Sequence, residues 1–430
     1  TSAFAFLFLC FFIFSQNIDS SYIFGNFTKE IGIEYKSNNI NFFIAFGVSF
    51  FFFAFSIFLF GFIKNYKKEF DFNILFAIIQ IMGGSILATS FTFDLFNFYV
   101  FFELTTICVY ILLALGGKGA SFAALNYLIL GVIASSFIVL GIGFLYFSTG
   151  YLNIGKVAEL ITARSINLII PFIFICTGLL VKLAVFPFSF WPALVYKNFP
   201  SAIIPIYASV VSFITLYAFY LFYWNIFYLM DAQFLEFFKS IMGILIFIGV
   251  ALFSTFAIFE LDIRKIFAYS TVSQVSYAFF VILFERGEGV YAGFLHLLNN
   301  GLCKLALFII LFEITKEYKN YLLSSLNMLV TKSKLLCIII LFLLASVLGM
   351  PLTLGFFTKV SMILLAFKNA DYLFIFTVLL GATLNFIYFW KIANIMFFHK
   401  KDDEIEDFAL DLSVFTKISL GLILLALILS

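Results

Sequence analysis

Ionisable residues are rare in this chain, and several of them lie inside long apolar segments. Only 11% of the residues are charged, whereas 64% are hydrophobic. A charged side chain at the centre of a bilayer costs about 2.5–3.5 kcal/mol on insertion scales, so each one must face other polar groups of the protein. The residues selected on this basis are Glu103, Lys182, His296, Lys304 and Lys359.

Glu103 and Lys182 form the first candidate pair. Glu103 lies in the apolar segment NFYVFFELTTICVYILLAL, which contains no lysine or arginine. It therefore needs a cation from another helix, and Lys182 in TGLLVKLAVFPF can supply one. A pair that opens and closes can take up and release a proton. The structural alternatives are a static ion pair between two helices and a lysine that extends to the membrane surface.

A polar stripe is predicted on the helix that contains AGFLHLLNNGLCKLALF. His296, Asn300 and Lys304 are spaced at i, i+4 and i+8, which places them on one helical face, with Asn299 on its flank. Histidine titrates closest to neutral pH, so this face suits proton hopping through a hydrated interior. A buried structural histidine is the alternative interpretation.

Two apolar segments contain a helix breaker next to a lysine. Pro187 follows Lys182 in KLAVFPFSFWP, and Pro351 precedes Lys359 in GMPLTLGFFTK. Proline removes a backbone hydrogen bond and clashes with the preceding turn, so such a break survives in lipid only where protein or water satisfies the freed groups. One broken helix in each half of a chain indicates an inverted repeat with a transport site.

The remaining charges are interpreted as less central. Lys391 lies near the end of its apolar segment and is predicted to be an interfacial or exit group, and Arg264 and Lys265 beside Asp262 predict a structural cluster at a helix start. The five cysteines occur singly and the two histidines are far apart, so this chain is expected to bind no metal or other cofactor. The net charge of +2 gives no indication of nucleic-acid binding.

The apolar segments are about 20 residues long, which predicts an all-α integral membrane fold rather than a barrel. A polytopic bundle of thirteen spans is expected. The predicted spans are 3–15, 41–63, 72–91, 95–116, 122–147, 167–189, 200–224, 240–259, 266–284, 290–313, 335–365, 372–398 and 413–429. Loops on one side contain 13 Lys and Arg against 7 on the other, so the first side is predicted to face the cytoplasm or matrix.

Five ordered motifs resemble the antiporter-like, proton-translocating subunits of respiratory complex I and the related Mrp-type antiporters. Residues 181–200, VKLAVFPFSFWPALVYKNFP, are similar to the family pattern FKAAVFPFHxWLPDVYEGAP, and residues 123–154 resemble the preceding helix of the complex I subunit N (subunit 2) type. The other similar segments are LDIRKIFAYSTVSQVSY at 261–277, HLLNNGLCKLALF at 296–308 and GMPLTLGFFTK at 349–359.

The resemblance implies two inverted five-helix repeats that contain the broken helices. It implies that Glu103 is the family's carboxylate and Lys182 its central lysine. His296 and Lys304 would be the connecting pair, and Lys359 the charge on the second broken helix. The predicted organisation is a single membrane domain, 1–430, with N-terminal helices at 1–71, a first half-channel repeat at 72–224, a second at 240–398 and a C-terminal helix at 413–430. With thirteen spans and no initial Met, the family's first helix is expected to be missing.

The resemblance also implies a function. The chain would translocate protons as a non-redox subunit of NADH:quinone oxidoreductase, beside other membrane subunits, in a bacterial inner membrane or a mitochondrial inner membrane. The D-type subunit of an Mrp-type sodium/proton antiporter is one alternative, with sodium as the coupled ion. A structural paralogue with an interrupted channel is the other.

A missing charge after the first broken helix supports that last alternative. The helix after the first broken one, PSAIIPIYASVVSFITLYAFY, has Phe213 close to an expected lysine and no ionisable group except tyrosines, among them Tyr207 and Tyr217. Water held by Ser209 and Ser212 could bridge this gap.

Three further replacements affect the motifs themselves. Asn300 replaces a histidine, Ser189 replaces the histidine of PFHxW, and Leu194 replaces the aspartate of PDVY. An interrupted relay is therefore as consistent with the sequence as a competent one.

Overall fold

Helices dominate the computed structural model of this chain. It describes residues 20–65, 72–116, 119–164, 166–318, 321–327, 329, 333–398 and 412–429. Within these residues there are fifteen α-helices, three short 3₁₀ segments and one two-stranded antiparallel sheet. The predicted all-α membrane architecture is confirmed.

The helices follow one another with short connections. In chain order they are α1 (Asn39–Asn65), α2 (Phe72–Phe91), α3 (Leu95–Ala114), α4 (Ala120–Thr149), α5 (Ile154–Arg164), α6 (Ile169–Leu183), α7 (Trp191–Asn198), α8 (Ile204–Asn225), α9 (Ala232–Phe259), α10 (Ile263–Ile282), α11 (Glu288–Tyr318), α12 (Lys334–Leu348), α13 (Leu354–Lys368), α14 (Tyr372–Phe398) and α15 (Val414–Leu429). The strands β1 (Ser20–Ile23) and β2 (Glu34–Ser37) precede them.

Eight of the described helices are long and apolar enough to cross a bilayer: α1, α2, α3, α4, α8, α9, α11 and α14. Three shorter helices, α6, α12 and α15, are also apolar. α6 and α12 are short because each ends at a break. Ala184, directly after α6, has a φ of 54°, and Gly349, directly after α12, has a φ of 85°. These left-handed residues end the helical hydrogen bonding.

Twelve of the predicted spans coincide with helices, whereas the span at 3–15 lies outside the described residues. Two of the twelve, 167–189 and 335–365, contain the expected interruptions, and their chains resume as α7 and α13.

Sequence patterns missed four elements: the hairpin, α5, α7 and the first eight residues of α9. The physical reason is the same in each case. These segments contain charged residues outside the apolar runs, such as Lys156 and Glu159 in α5 and Glu236 and Lys239 in α9. Their helices or strands are formed by local hydrogen bonds, which a hydropathy pattern does not detect.

The chain divides into two compact units, each with its own packing. Of the described residues, unit 1 contains those within 1–53, 68–183 and 210–241, and unit 2 contains those within 54–67, 184–209 and 242–430. The predicted repeats at 72–224 and 240–398 stay a prediction.

In unit 1, α4 packs closely on α6 through small residues. A Cβ placed on Gly141 would lie 3.1 Å from the carbonyl oxygen of Pro171, and one placed on Gly178 would lie 3.2 Å from the backbone nitrogen of Ile138. Glycines that allow this approach are typical of helix contacts in membranes. The close packing determines which polar side chains of α4 face the end of α6.

In unit 2, α11 is surrounded by other helices, and nearly all of its apolar residues are buried. It approaches α10 closely, since a Cβ on Gly293 would lie 2.8 Å from the carbonyl oxygen of Ala278. A polar residue on the faces of α11 is therefore surrounded by protein and must find its partners there.

Candidate functional site

The first cluster lies in unit 1 and consists of Glu103, Thr106, Ser135 and Lys182. Lys182 Nζ lies 3.2 Å from Glu103 Oε2 and donates to Thr106 Oγ1 at 2.9 Å. Ser135 Oγ donates to the same carboxylate oxygen of Glu103. The side chains of Lys182 and Glu103 are 8% and 20% exposed. The sequence prediction that these two charges pair is consistent with this geometry.

Three helices build this first cluster. Glu103 and Thr106 lie one turn apart on α3, Ser135 comes from α4, and Lys182 is the second-last residue of α6. The glycine-mediated contact of α4 with α6 brings the serine and the lysine to the same carboxylate. The ammonium also lies 4.7 Å from the ring centroid of Phe102, which adds a cation–π contact.

The chemistry open to this cluster is proton exchange between an amine and a carboxylate. The two groups are within hydrogen-bond reach, which is the geometric requirement for proton transfer. Thr106 offers Lys182 a second, neutral partner, so the ammonium can move between a charged acceptor and an uncharged one. Breaking a pair of this kind inside a membrane leaves an uncompensated charge, which ties the two residues to each other.

The second cluster lies in unit 2 and consists of the buried residues His296, Lys304 and Lys359 and their partners. The Nδ1 of His296 lies 2.9 Å from Thr358 Oγ1, and its Nε2 lies 3.0 Å from Gln274 Oε1. The imidazole is 1% exposed. The histidine predicted from the polar stripe therefore has two neutral hydrogen-bond partners, one on α13 and one on α10.

Lys359 binds the end of the helix before its own. Its Nζ donates to the carbonyl oxygens of Leu348, at 2.7 Å, and Val347, at 3.2 Å, which are the last two residues of α12. These carbonyls have no partner within their own helix, and the C-terminal end of a helix carries partial negative charge. The lysine predicted to follow the second break thus caps the first half of the broken helix.

Lys304 is also buried, at 1% exposure, and its Nζ donates to the carbonyl oxygen of Phe267 at 3.0 Å. The Lys304 ammonium also lies 4.6 Å from the centroid of the Phe267 ring. Asn300, one turn before Lys304, is 3% exposed, and its Oδ1 has no hydrogen-bond partner among the described residues. Asn299, on the flank of the stripe, pairs with Ser346 instead.

Lys391 occupies a more exposed position. Its Nζ donates at 2.8 Å to the carbonyl oxygens of Ile258 and Glu260, at the C-terminal end of α9. The predicted structural cluster nearby has ion pairs between Arg264 and Asp262 and between Lys265 and Glu260.

On α8, where the sequence departs from the family pattern, the side chains pack against aromatic rings or form hydrogen bonds with backbone carbonyls. Phe213 is fully buried, and its ring packs edge-on against Phe51 at 5.9 Å. Ser209 Oγ lies 3.0 Å from the carbonyl oxygens of Pro205 and Ile206 on its own helix. Tyr217 Oη lies 2.8 Å from the carbonyl oxygen of Ser90. An aromatic contact thus lies close to the position where the resemblance implies a lysine.

Sequence reasoning missed four participants: Thr106, Ser135, Gln274 and Thr358. Thr106 lies at i+3 from Glu103, and Thr358 directly precedes Lys359, so both shared a helical face or a motif with a selected residue. Gln274 lies inside the quoted segment YSTVSQVSY but carries no charge. Ser135 has no local signal, because its role depends on the packing of α4.

Buried charges, broken helices and long apolar spans together define an integral membrane protein of the transporter-like class. Residues 92–385 match the family described as NADH:quinone oxidoreductase/Mrp antiporter, transmembrane. Since this match covers more than half of the chain, the chain belongs to that family, as the motifs predicted.

Two relatives and one solved structure illustrate the similarity. The NADH-quinone oxidoreductase subunit N of Desulforudis audaxviator is 31% identical over 304 residues, which cover 70% of this chain and 60% of the relative. The D-type subunit of the Na(+)/H(+) antiporter of Alkalihalophilus pseudofirmus is 28% identical over 313 residues, covering 71% and 61%. A chain of respiratory complex I from Thermus thermophilus superposes with a TM-score of 0.84 at 15% identity, covering 99% of this chain and 89% of that one.

The chain matches about three fifths of the length of both curated relatives. The structural similarity, at 15% identity, concerns the fold.

Proposed function

We propose that this chain translocates protons as an antiporter-like, non-redox subunit of an NADH:quinone oxidoreductase. Its partners would be other membrane subunits of the complex and the lipid bilayer, in a bacterial inner or mitochondrial inner membrane. The observation that carries the proposal is the Glu103–Lys182 contact of 3.2 Å between apolar helices. A charge pair at this depth is retained at an energetic cost, which a functional role explains.

In this mechanism a change in a partner subunit moves the Lys182 ammonium between Glu103 and Thr106. When the ammonium leaves Glu103, the carboxylate loses its counter-charge and accepts a proton; when it returns, the proton is released. His296 and Lys304 would continue the transfer to Lys359, with Lys391 as a peripheral exit group. No electron transfer is assigned to this chain.

Proton pumping by vesicles tests the proposal. We expect Lys182→Ala and Glu103→Ala to reduce NADH-driven acidification of inverted vesicles by about tenfold or more, since proton-transfer groups contribute at least that much. Lys156→Ala is the matched control, because Lys156 pairs with Glu159 at 2.9 Å on the surface, where the two side chains are 33% and 67% exposed. Assembly is checked by co-purification. Pumping at the unsubstituted level in both cluster variants would refute the relay.

An Mrp-type antiporter is the competing transport function, and the Na(+)/H(+) antiporter relative from Alkalihalophilus pseudofirmus supports it. The two transport functions differ in what drives proton movement. A complex I subunit moves protons into inverted vesicles only with NADH oxidation, whereas an antiporter exchanges added external sodium for internal protons and so makes the vesicle interior more alkaline without NADH. Co-purifying redox subunits would favour the first.

A structural role is the third candidate, and the buried Phe213 favours it. In this case Lys182→Ala would leave pumping by the complex unchanged but would lower the amount of assembled complex.

A further inference from the structure

We propose that Gln274 and Thr358 are positioning residues for His296. In this arrangement Gln274 keeps a hydrogen on Nε2 of the ring, and Thr358 is the partner of Nδ1, the nitrogen that gains and loses a proton. The inference rests on the proposed function and deepens it, because it defines how one member of the relay exchanges its proton.

The geometry on the Nε2 side fixes a hydrogen there. Gln274 Oε1 lies 3.0 Å from Nε2, and an amide oxygen only accepts. This oxygen makes the side chain's contact with the ring, whereas the amide Nε2 of Gln274 is buried and has no partner among the described residues. The ring nitrogen must therefore donate. In a neutral imidazole the other nitrogen is then an acceptor, and in an imidazolium it is a second donor.

The Nδ1 side holds a partner that can serve either state. Thr358 Oγ1 lies 2.9 Å from Nδ1 and 3.0 Å from the carbonyl oxygen of Gly355. A hydroxyl has one hydrogen and two lone pairs. With a neutral ring, the hydroxyl donates to Nδ1. With a protonated ring, Nδ1–H donates to the hydroxyl, which turns its hydrogen to Gly355.

This rotation connects the charge on His296 to the second broken helix. Gly355 lies in the first turn of α13, and its carbonyl oxygen, 3.0 Å from Thr358 Oγ1, competes with Nδ1 for the single hydroxyl hydrogen, so protonation of Nδ1 leaves that hydrogen to Gly355. Lys359, one turn further along α13, is bound to the end of α12. Tyr277, whose ring centroid is 6.2 Å from that of His296, and Lys359 are the other titratable groups near this ring from α10 and α13.

Nitrogen-15 NMR of the full chain, with labelled histidine, in lipid nanodiscs tests the inference. The sequence has two histidines, His296 and His399, so His399→Gln leaves a single imidazole. In that background we expect the neutral ring to carry its hydrogen on Nε2. Gln274→Leu should produce a mixture of both tautomers, whereas Gln274→Glu, which keeps an acceptor, should retain the Nε2 hydrogen.

Thr358 has its own pair of variants. Thr358→Val should leave the hydrogen on Nε2 but shift the Nδ1 resonance. Thr358→Ser, which keeps the hydroxyl, should leave that resonance at its position in the background protein. A hydrogen on Nδ1 in the background protein would overturn the proposal, as would an unchanged tautomer in Gln274→Leu. The spectra do not depend on transport, so loss of the proposed function would leave this result standing, and the reverse also holds. If Gln274→Leu does not fold, the other three variants still decide the outcome.

Discussion

The two buried clusters stabilise positive charge in different ways. In the first, Lys182 faces a carboxylate at 3.2 Å and a hydroxyl at 2.9 Å. In the second, Lys304 and Lys359 bind backbone carbonyls, and within the described residues neither has a carboxylate at ion-pair distance. The same residue type is thus held by a full counter-charge in one place and by peptide dipoles in the other.

This difference predicts how each cluster responds to change. In a buried ion pair each charge needs the other, because removal of one partner leaves the second charge uncompensated, whereas removal of both is tolerated. A lysine on a helix end has no such partner, and its loss exposes only carbonyl groups. The first cluster should therefore show strong coupling between two positions, and the second should show separate, smaller effects.

The largest expected effect is on the pair. Glu103→Gln or Lys182→Met alone should lower the free energy of unfolding by about 3 kcal/mol, the lower end for a buried pair because Glu103 keeps 20% of its side-chain surface. The double variant should recover most of the loss. Reversible unfolding in mixed detergent–lipid micelles measures all three. Additive losses would show that the two residues do not form a unit.

Gly355→Ala should be the next largest, and it tests whether close packing holds the second cluster together. A Cβ on Gly355 would overlap the carbonyl oxygen of Ser346 and lie 3.0 Å from Nδ2 of Asn299. We expect a loss of about 2–3 kcal/mol, as for other overpacked positions. Gly84→Ala is the control, since nothing lies within 4 Å of its added Cβ. That variant should gain up to about 1 kcal/mol from helix propensity.

Lys359→Met should have a smaller effect than Gly355→Ala, because the methionine keeps most of the buried volume. The loss of a charged donor to the carbonyls of Val347 and Leu348 should destabilise by about 1.5–2 kcal/mol. Lys391→Met offers a comparison. Lys391 also caps a helix end, through Ile258 and Glu260, but its side chain is only half-buried. An equal loss at both positions would mean that burial does not strengthen the cap.

The charged members of both clusters could be predicted from the sequence because charge in an apolar run is a strong and local signal. Glu103 and Lys182 are 79 residues apart, yet each required a partner and few were available. The breaks after α6 and α12 were predictable for the same reason, since Pro187 and Pro351 interrupt otherwise apolar helices.

The neutral partners could not be predicted, because polar uncharged residues are common and their roles depend on helix packing. Ser135 on α4 donates to Glu103 on α3, a contact between two helices that spacing along one helix cannot reveal. Lys359 was expected to serve the relay, but its two contacts with the end of α12 follow from the fold of the break. The spacing of residues along one helix predicts which side chains share a face. It does not predict which neighbouring helix packs against that face.

The smallest effect is expected for an ion pair outside the membrane-spanning helices, and it sharpens the contrast with the buried pair. Glu260 and Lys265 lie 3.0 Å apart with side chains 21% and 28% exposed. Burial raises the pKa of Glu260, but hydrogen bonds from Lys265 and from the backbone amides of Asp262 and Leu261 together outweigh burial and hold the pKa below its ordinary 4.5. The folded state therefore favours the ionised carboxylate.

A carboxyl group whose pKa is lowered by folding stabilises the folded state at pH values above its ordinary pKa of 4.5. This contribution is lost as the pH falls through the lower pKa of the folded state. Glu260→Gln should therefore lower the free energy of unfolding by less than about 1 kcal/mol near pH 7 and by a smaller amount near pH 3. Unfolding of both proteins at the two pH values measures the difference. A loss as large as that of Glu103→Gln, or one that is the same at both pH values, would contradict the assignment of the effect to depth in the membrane and to charge.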